Sequence, residues 1–426
     1  MGKFRSVMLA ILLVSNLGLM VSCASQSQPK PTTSPSSEPS AQGSASLGSE
    51  SGSEAIALIS DGAALPTDEV ELAVIAEGLE HPWGMAWLPN GDILITERPG
   101  NLRIIQDGVL DPEAIAGLTD VADITAQQVF ASRQGGLLDI SLHPRFEENR
   151  WIYFSYAHGT RDANRTRVAR AKFDGGALSN WEVVFEVAQA KQGGQHFGSR
   201  LTWLPDETLL ISIGDGGNPP LKVDGVLSRK QAQNLGSHLG KVVRINDDGT
   251  IPPDNPFVDN PNAEPEVWSY GHRNIQGMAF DPIHQRIWAT EHGSRGGDEL
   301  NIVKATHNYG WPDVSFSAEY STGRPVSPVK TREDITEPKL VWTPAIAPSG
   351  LAFYSGDRHP QWQGNLFAGG LVSNDIRRLE IDAQGNILSE SRIKINQRVR
   401  DIRQSPDGHL YVLTDADSGR LLKLEP

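Results

Sequence analysis

Cysteine is almost absent from this chain, and there is no excess of basic charge. Among 426 residues only Cys23 is a cysteine, which excludes an intramolecular disulfide. The formal charge is −14, whereas a general nucleic-acid-binding protein shows a basic surface, so we expect no nucleic-acid partner. Helix-forming patterns are scarce too, while 42 glycines and 28 prolines suit a fold of many short strands and turns.

The N-terminus has the pattern of an export signal. The apolar run Val7–Val21 follows Lys3 and Arg5 and is too short for a comfortable membrane span. It ends just before Cys23, which resembles a bacterial lipoprotein signal, where cleavage leaves a lipidated cysteine as the first residue. We therefore predict a signal peptide over residues 1–22, lipidation of Cys23, and an exported lipoprotein at the periplasm or cell surface. A plain secretory signal with an incidental cysteine is the alternative.

Residues 23–65 are rich in Ser, Pro, Gln, Gly and Ala. Such a segment has too little apolar surface to offset its ordering entropy. We predict a flexible tether here, with membrane attachment only through the lipid anchor. The folded domain is predicted over residues 66–426.

One module recurs through the predicted domain: an apolar run, a turn rich in Pro, Asp, Asn or Gly, and a second apolar run. Its copies are 84–97, 135–156, 199–215, 276–293, 349–370 and 399–415. Repeated four-strand modules of about this period indicate an all-β fold, a six-bladed β-propeller of four-stranded antiparallel blades. Two β-sandwiches are the alternative fold. A short helix is predicted over Arg229–Leu239.

The starts of the modules carry a recurring set of polar residues. They are Gln134, His196, Arg273, Asn274, Arg398 and Arg400, and Asp215 ends a second run. Arginines gathered at a propeller channel would bind an anion, because guanidinium pairs well with carboxylate. A histidine beside them is a candidate general base. Taken singly, the histidine is equally explained as a structural residue and each arginine as part of a surface salt bridge.

The stretch Glu291–Pro312 contains a glycine-rich loop followed by an acidic pair. Glycines let a backbone turn its carbonyls inward, and carbonyls together with carboxylates are ligands for a hard cation such as calcium. The sequence therefore favours a metal site here. An ordinary loop with a solvated acidic pair is the other interpretation.

These motifs together resemble one enzyme family. The segments QGGLLD at Gln134, HFGSRL at His196, YGHRN at Tyr270, EHGSRGGDE at Glu291, NYGWP at Asn308 and RVRD at Arg398 look like those of the soluble aldose sugar dehydrogenases. That family is related to soluble quinoprotein glucose dehydrogenase, and its members are six-bladed propellers that use pyrroloquinoline quinone (PQQ) and calcium. The resemblance covers nearly all of the chain from about Val70 to Glu425.

The resemblance implies specific roles for the aligned residues. His196 would take the proton from the anomeric hydroxyl of an aldose, Asp215 would orient that base, and Arg273 would stabilise charge on the reduced quinone. The product would be the lactone, with electrons passed to an external acceptor. The resemblance also implies cofactor contacts and calcium ligands: Gln134, Asn274, Tyr320, Arg398 and Arg400 for PQQ, backbone carbonyls of Gly293 and Ser294 for the calcium beside it, and Glu299 and the backbone of Tyr309 for a second, structural calcium.

The chain departs from the family pattern at four places. Serine stands at Ser294 and isoleucine at Ile275 where proline is usual, and a lysine that contacts PQQ is replaced near Val372. The segment 214–218 lacks the arginine found there in relatives. We expect a looser loop at Ser294, and altered cofactor affinity and substrate range rather than a different reaction.

Two other functions remain open at this point. One is a calcium-dependent hydrolase of the lactonase type, which would need several acidic or amide side chains converging on the channel metal. The other is a non-catalytic binding propeller on a lipid tether. The preferred sugar, the electron acceptor, and whether the protein is a monomer or a dimer cannot be read from the sequence.

Overall fold

The computed structural model describes residues 58–62, 65–117 and 129–425. The predicted signal peptide, Cys23 and most of the predicted tether lie outside these ranges. Within them, no helix is long and apolar enough to cross a membrane.

Strands dominate the described residues and form six small sheets, the blades. Two strands precede the first blade: β1 (Leu58–Ser60) and β2 (Glu71–Leu79). Blade one contains β3 (Pro82–Trp87), β4 (Ile93–Glu97), β5 (Asn101–Gln106) and β6 (Val109–Leu110), and blade two contains β7 (Leu137–Leu142), β8 (Trp151–Gly159), β9 (Asn164–Phe173) and β10 (Leu178–Glu186). Blade three contains β11 (Leu201–Trp203), β12 (Leu209–Ile213), β15 (Lys241–Ile245) and β16 (Val267–Tyr270). Between β12 and β15 the chain forms a separate hairpin of β13 (Lys222–Val223) and β14 (Val226–Leu227).

Blades four to six complete the ring. Blade four contains β17 (Ile275–Asp281), β18 (Arg286–Glu291), β19 (Asp298–Val303) and β20 (Leu340–Trp342). Blade five contains β21 (Pro348–Phe353), β22 (Leu366–Gly370), β23 (Asp375–Ile381) and β24 (Ile387–Lys394). Blade six contains β25 (Val399–Gln404), β26 (Leu410–Thr414) and β27 (Gly419–Glu425), with β2 as its outer strand. The helical segments are α1 (Phe146–Asn149) and the 3-10 turns Ser228–Gln233 and Pro360–Trp362.

The first strands of the blades line the centre of the ring. Each contacts the first strand of the next blade, and β25 contacts β3, which closes the circle. Buried apolar side chains fill each junction between neighbouring sheets. The predicted six-bladed propeller is therefore confirmed, and the six predicted modules coincide with the first two strands of the blades.

The N-terminal described segment runs along the outer edges of three blades. Strand β1 pairs in parallel with β20, as a fifth strand of blade four. Asp68 then accepts hydrogen bonds from Arg378 at 3.0 Å and Ser391 at 2.7 Å on blade five, and β2 pairs with β27 on blade six. The short edge strand β1 therefore lies inside the segment that was predicted as a tether over residues 23–65.

The helix predicted over Arg229–Leu239 is also wrong in extent. A 3-10 turn occupies Ser228–Gln233 only. The chain turns away at Asn234, whose side-chain oxygen accepts the N–H of Gly236 at 3.1 Å, the local bond that makes asparagine a turn former. Buried Lys241 donates to three carbonyls of this segment, those of Gln231, Ala232 and Leu239.

Candidate active site

Residues far apart in sequence meet at one end of the central channel. Because the first strands of all blades run in the same direction along the channel, the residues that precede them lie at the same end. The predicted site residues Gln134, His196, Arg273, Asn274 and Arg398 all precede first strands. The fold therefore brings together, at one end of the channel, polar residues that recur at the starts of the predicted modules.

His196 and Asp215 form a buried pair. The Nδ1 atom of His196 lies 2.6 Å from Oδ1 of Asp215, and both side chains are almost inaccessible to solvent. Since an ionised carboxylate only accepts hydrogen bonds, this contact places a proton on Nδ1 and leaves Nε2 as the acceptor. A neutral histidine held in this tautomer is a competent general base.

The surroundings of His196 keep it neutral. Burial lowers its pKa below the ordinary value of 6.5, and the charge of Arg273 lowers it further, against the opposing effect of Asp215. The backbone of His196 has φ of +49°, an uncommon conformation that often marks functional positions. Its N–H donates to Oε1 of Gln134 at 2.7 Å, so Gln134 fixes the base as well as lying at the channel.

Close backbone packing explains the glycine before Asp215. A Cβ at Gly214 would lie 2.2 Å from the carbonyl oxygen of His196, so only glycine allows the two segments to approach. Asp215 also accepts the N–H of Gly217 at 3.0 Å. These contacts set the separation on which the His196–Asp215 bond depends.

Trp311 completes the set around Asp215, although sequence reasoning assigned it no role. Its indole N–H donates to Oδ2 of Asp215 at 2.8 Å. The guanidinium of Arg273 lies over its ring, 5.2 Å from the centroid. The NYGWP motif was the available signal, but its connection to a residue of another blade is visible only in three dimensions.

Arg273 and Asn274 are held in place while some of their donors stay unused. Arg273 donates to the carbonyl of His292 and to Oδ1 of Asn218, each at 3.0 Å. Asn274 accepts the N–H of Gly198 at 3.1 Å. The buried Nε of Arg273 and Nδ2 of Asn274 have no hydrogen-bond partner in the described part of the chain. Unpaired buried donors are costly unless a ligand accepts from them.

Arg398 and Arg400 share an acidic partner that the sequence did not reveal. Both donate to Oδ2 of Asp415 at 3.0 Å, and their charges hold the pKa of Asp415 well below its ordinary value despite burial, with Arg400 contributing most. Arg398 is half-exposed, whereas Arg400 is buried. Two guanidinium groups on one carboxylate leave a net positive charge at this side of the channel.

The glycine-rich loop borders a cavity of about 440 Å³. Gly293 and Ser294 line it, together with Tyr320 and Val372; the side chains of the latter two are largely exposed. The N–H of Gly293 donates to Asp298 at 2.7 Å. The N–H of Ser294 donates to Oγ of Ser317 at 3.0 Å. Serine keeps a backbone donor at this position that proline lacks, and its bond to Ser317 opposes the looser loop expected from the sequence.

Glu299 faces a small void beside the loop. Glu291, Gly297 and Tyr309 also line this void. The Nδ2 group of Asn301 contacts both carboxylates, at 3.1 Å for Glu291 and 3.3 Å for Glu299. Burial and the charge of Glu291 raise the pKa of Glu299 well above its ordinary value. Two neighbouring carboxylates that contact the same amide group are suitable oxygen ligands for a divalent cation.

A second, more polar cavity of about 310 Å³ opens beside the base, where Gln195 lines it. Arg133, Arg161 and Gln192 line it as well. It lies on a different set of loops from the glycine-rich cavity. A polar space large enough for a small hydrophilic molecule therefore lies next to the segment that carries the base.

The family model described as Glucose / Sorbosone dehydrogenase matches residues 79–423. The chain belongs to the glucose/sorbosone dehydrogenase family. This membership places it among sugar dehydrogenases, a class of oxidoreductases, and confirms the resemblance found in the sequence.

Individual relatives extend this result. An uncharacterised protein of Synechocystis is 68% identical over 84% of this chain and 87% of its own length. Aldose sugar dehydrogenase YliI of Escherichia coli is 38% identical over 84% of this chain and 93% of its own length. The structure of the PQQ-bound aldose sugar dehydrogenase of Streptomyces coelicolor has a TM-score of 0.66 at 26% identity, covering 85% of this chain and 99% of that one.

Proposed function

We propose that the protein is a PQQ- and calcium-dependent aldose dehydrogenase that oxidises the anomeric C1 hydroxyl to the lactone. The observation that carries the proposal is the buried His196–Asp215 pair beside the unpaired donors of Arg273 and Asn274. Alcohol oxidation requires a base that accepts the hydroxyl proton, and cations that stabilise the negative charge of the reduced acceptor. The PQQ-bound relative from Streptomyces supports the choice of cofactor.

The residues present fit that cofactor. PQQ carries three carboxylates and an ortho-quinone, and when bound it supplies a two-electron acceptor for the C1 hydrogen. Arg398 and Arg400 would hold carboxylates, and Arg273 and Asn274 would contact the quinone edge with donors that are otherwise unused. The carbonyls of Gly293 and Ser294, which line the neighbouring cavity, would ligate the calcium that holds it.

The chain's own residues account for the proton. Nε2 of His196 accepts the proton of the anomeric hydroxyl, since Nδ1 is occupied by Asp215. Asp215 stabilises the imidazolium that forms, and Trp311 and Gly217 stabilise the carboxylate in turn. Arg273 offsets negative charge developing on the acceptor. The polar cavity lined by Gln195, the residue before His196, is the candidate space for the sugar.

A lactonase-type hydrolase is less well supported. Such an enzyme would gather acidic or amide ligands around a channel metal. At the His196 end of this channel the structure gathers arginines instead, and the carboxylate of Glu291 accepts the backbone N–H of Arg273 at 2.7 Å. A non-catalytic propeller would have no use for a buried base held by Asp215.

The proposal is tested by reconstitution. The purified protein is loaded with PQQ and calcium, and dye reduction is followed over a panel of aldoses. PQQ-dependent turnover with lactone formation is expected. Lack of dye reduction with every aldose, together with an unchanged quinone absorbance on adding sugar, would overturn the proposal. Lactone hydrolysis without PQQ would favour the hydrolase.

A further inference from the structure

Two lysines are buried among the residues that the structure describes, and their surroundings differ. The ammonium of Lys241 donates to three backbone carbonyls, which uses all of its hydrogens and marks it as a structural support. Lys191 is also buried, 4% exposed, but donates to a single acceptor, Oδ1 of Asn164 at 2.8 Å. A buried ammonium with so few partners is costly, so its position calls for another explanation.

Lys191 lies against the segment that carries the candidate base. Its ammonium sits 3.7 Å from the ring centroid of Phe197, the residue that follows His196. A Cβ added to Gly216, next to Asp215, would approach the Lys191 side chain at 3.0 Å. Lys191 therefore packs behind both members of the His196–Asp215 pair.

Asn164 fixes Lys191 rigidly. The two residues exchange backbone hydrogen bonds of 2.8 Å in each direction. The amide group of Asn164 donates to the carbonyls of Thr160 at 2.7 Å and Gly193 at 2.6 Å, which leaves Oδ1 facing the ammonium. The charge is thus held at a defined place.

We propose that Lys191 is a positioning residue that sets the protonation of His196 through its charge behind the His196–Asp215 pair. A fixed cation disfavours a second positive charge on the imidazole and keeps the base free to accept a proton. Asp215 alone would have the opposite effect. The assignment deepens the proposed function and rests on it for its catalytic meaning.

The charges around His196 allow such a balance. Besides burial, Arg273 and Lys191 disfavour its protonated form, and Asp215 favours it. Burial lowers the pKa of Lys191 to about 7, so Lys191 is mainly charged below pH 6.5, the range in which His196 takes up its proton. The charge of Lys191 therefore acts on His196 in the pH range in which His196 changes its protonation.

Three variants of one position separate charge from packing. Lys191→Arg keeps the charge. Lys191→Gln removes the charge but keeps a donor for Asn164, and Lys191→Met removes both. The pKa of His196 is followed by NMR of labelled histidine without added cofactor, the resonance being identified by its loss in His196→Gln.

We expect Lys191→Gln and Lys191→Met to raise the pKa of His196 by on the order of one unit, and Lys191→Arg to leave it near the parent value. A folded Lys191→Gln protein with an unchanged His196 pKa overturns the inference, as does a shift in Lys191→Met alone, which indicates a packing role. In PQQ-loaded protein the acidic limb of kcat/KM moves by the same amount. If the pKa of His196 shifts in the variants but the PQQ-loaded parent protein oxidises no sugar, the proposed function is overturned and this inference stands. If the parent oxidises sugar but the pKa does not shift in the variants, this inference is overturned and the proposed function stands.

Discussion

The indole N–H of Trp311 donates to Oδ2 of Asp215 across 2.8 Å. This bond joins blade four to blade three, and it stabilises the carboxylate that orients the base. Replacing Trp311 by Phe keeps an aromatic ring near Arg273 but removes the donor. A hydrogen bond to a charged group is worth about 1.5–3 kcal/mol, so we expect kcat to fall about 10- to 100-fold.

The matched control for that variant is Trp203→Phe. The indole N–H of Trp203 has no hydrogen-bond partner among the described residues, so its loss removes no bond. Steady-state kinetics of the PQQ-loaded proteins compare the two. Equal effects of the two substitutions would show that the bond from Trp311 has no catalytic role.

Replacing His196 by Gln is expected to abolish most turnover while keeping PQQ binding. General-base catalysis contributes about 10²- to 10⁴-fold, and glutamine cannot accept the proton. PQQ binding is measured by absorbance titration and turnover by dye reduction. The control is His284→Gln, since His284 is only partly buried and pairs with Asp281 at a turn. Near-parental turnover of the His196 variant contradicts the base assignment.

Activity should depend on pH through His196. Burial, then Arg273, lowers its pKa below 6.5, and only the neutral form accepts a proton. We expect kcat/KM to rise with pH to a plateau, with its acidic midpoint below 6.5. The same shift makes the native state bind its proton less readily than the unfolded chain, so this residue's contribution to the free energy of unfolding falls as pH drops below 6.5. An acidic midpoint above 6.5 would mean that another group controls the rate.

Removal of calcium should destabilise the protein through Glu299. Without a cation, Glu291 and Glu299 are adjacent buried carboxylates that repel each other. A ligand at 100 times its Kd stabilises by about 2.7 kcal/mol, so a chelator should lower Tm by a few degrees. Glu299→Gln should lose this response, while exposed Glu333→Gln keeps it. Identical chelator responses in the two variants would rule out a cation at Glu299.

Replacing Val372 by Lys should strengthen PQQ binding. Val372 is 61% exposed and lines the cavity beside Gly293 and Ser294. An added exposed cation gains up to about 1 kcal/mol with an anion, or up to about fivefold in Kd. Val109→Lys, on the outside of blade one, is the control because Val109 is 69% exposed. An unchanged or weaker PQQ affinity would show that position 372 does not face the cofactor.

The recurrence of the module along the sequence predicted the blades. Because His196 and Arg273 precede the first run of their modules, it also predicted that both lie at the same end of the channel. It did not show which loops touch. The partners Asp415 for Arg400 and Trp311 for Asp215 come from elsewhere on the ring, and no local pattern encodes such contacts. The edge strand Leu58–Ser60 was missed because its order comes from backbone pairing with Leu340–Trp342 rather than from its own apolar content.

The last blade combines the beginning and the end of the domain, since β2 pairs with β27 and Glu71 stands opposite Glu425. A chain emerging from the ribosome can therefore pair the strands of its early blades but cannot close the ring until the final strand has been made. Closure of such a distant pair is slow compared with local hairpin formation. The charged site uses residues from both sides of the closure, with Arg400 on β25 and Gln134 before β7, so it is complete only once the ring has closed.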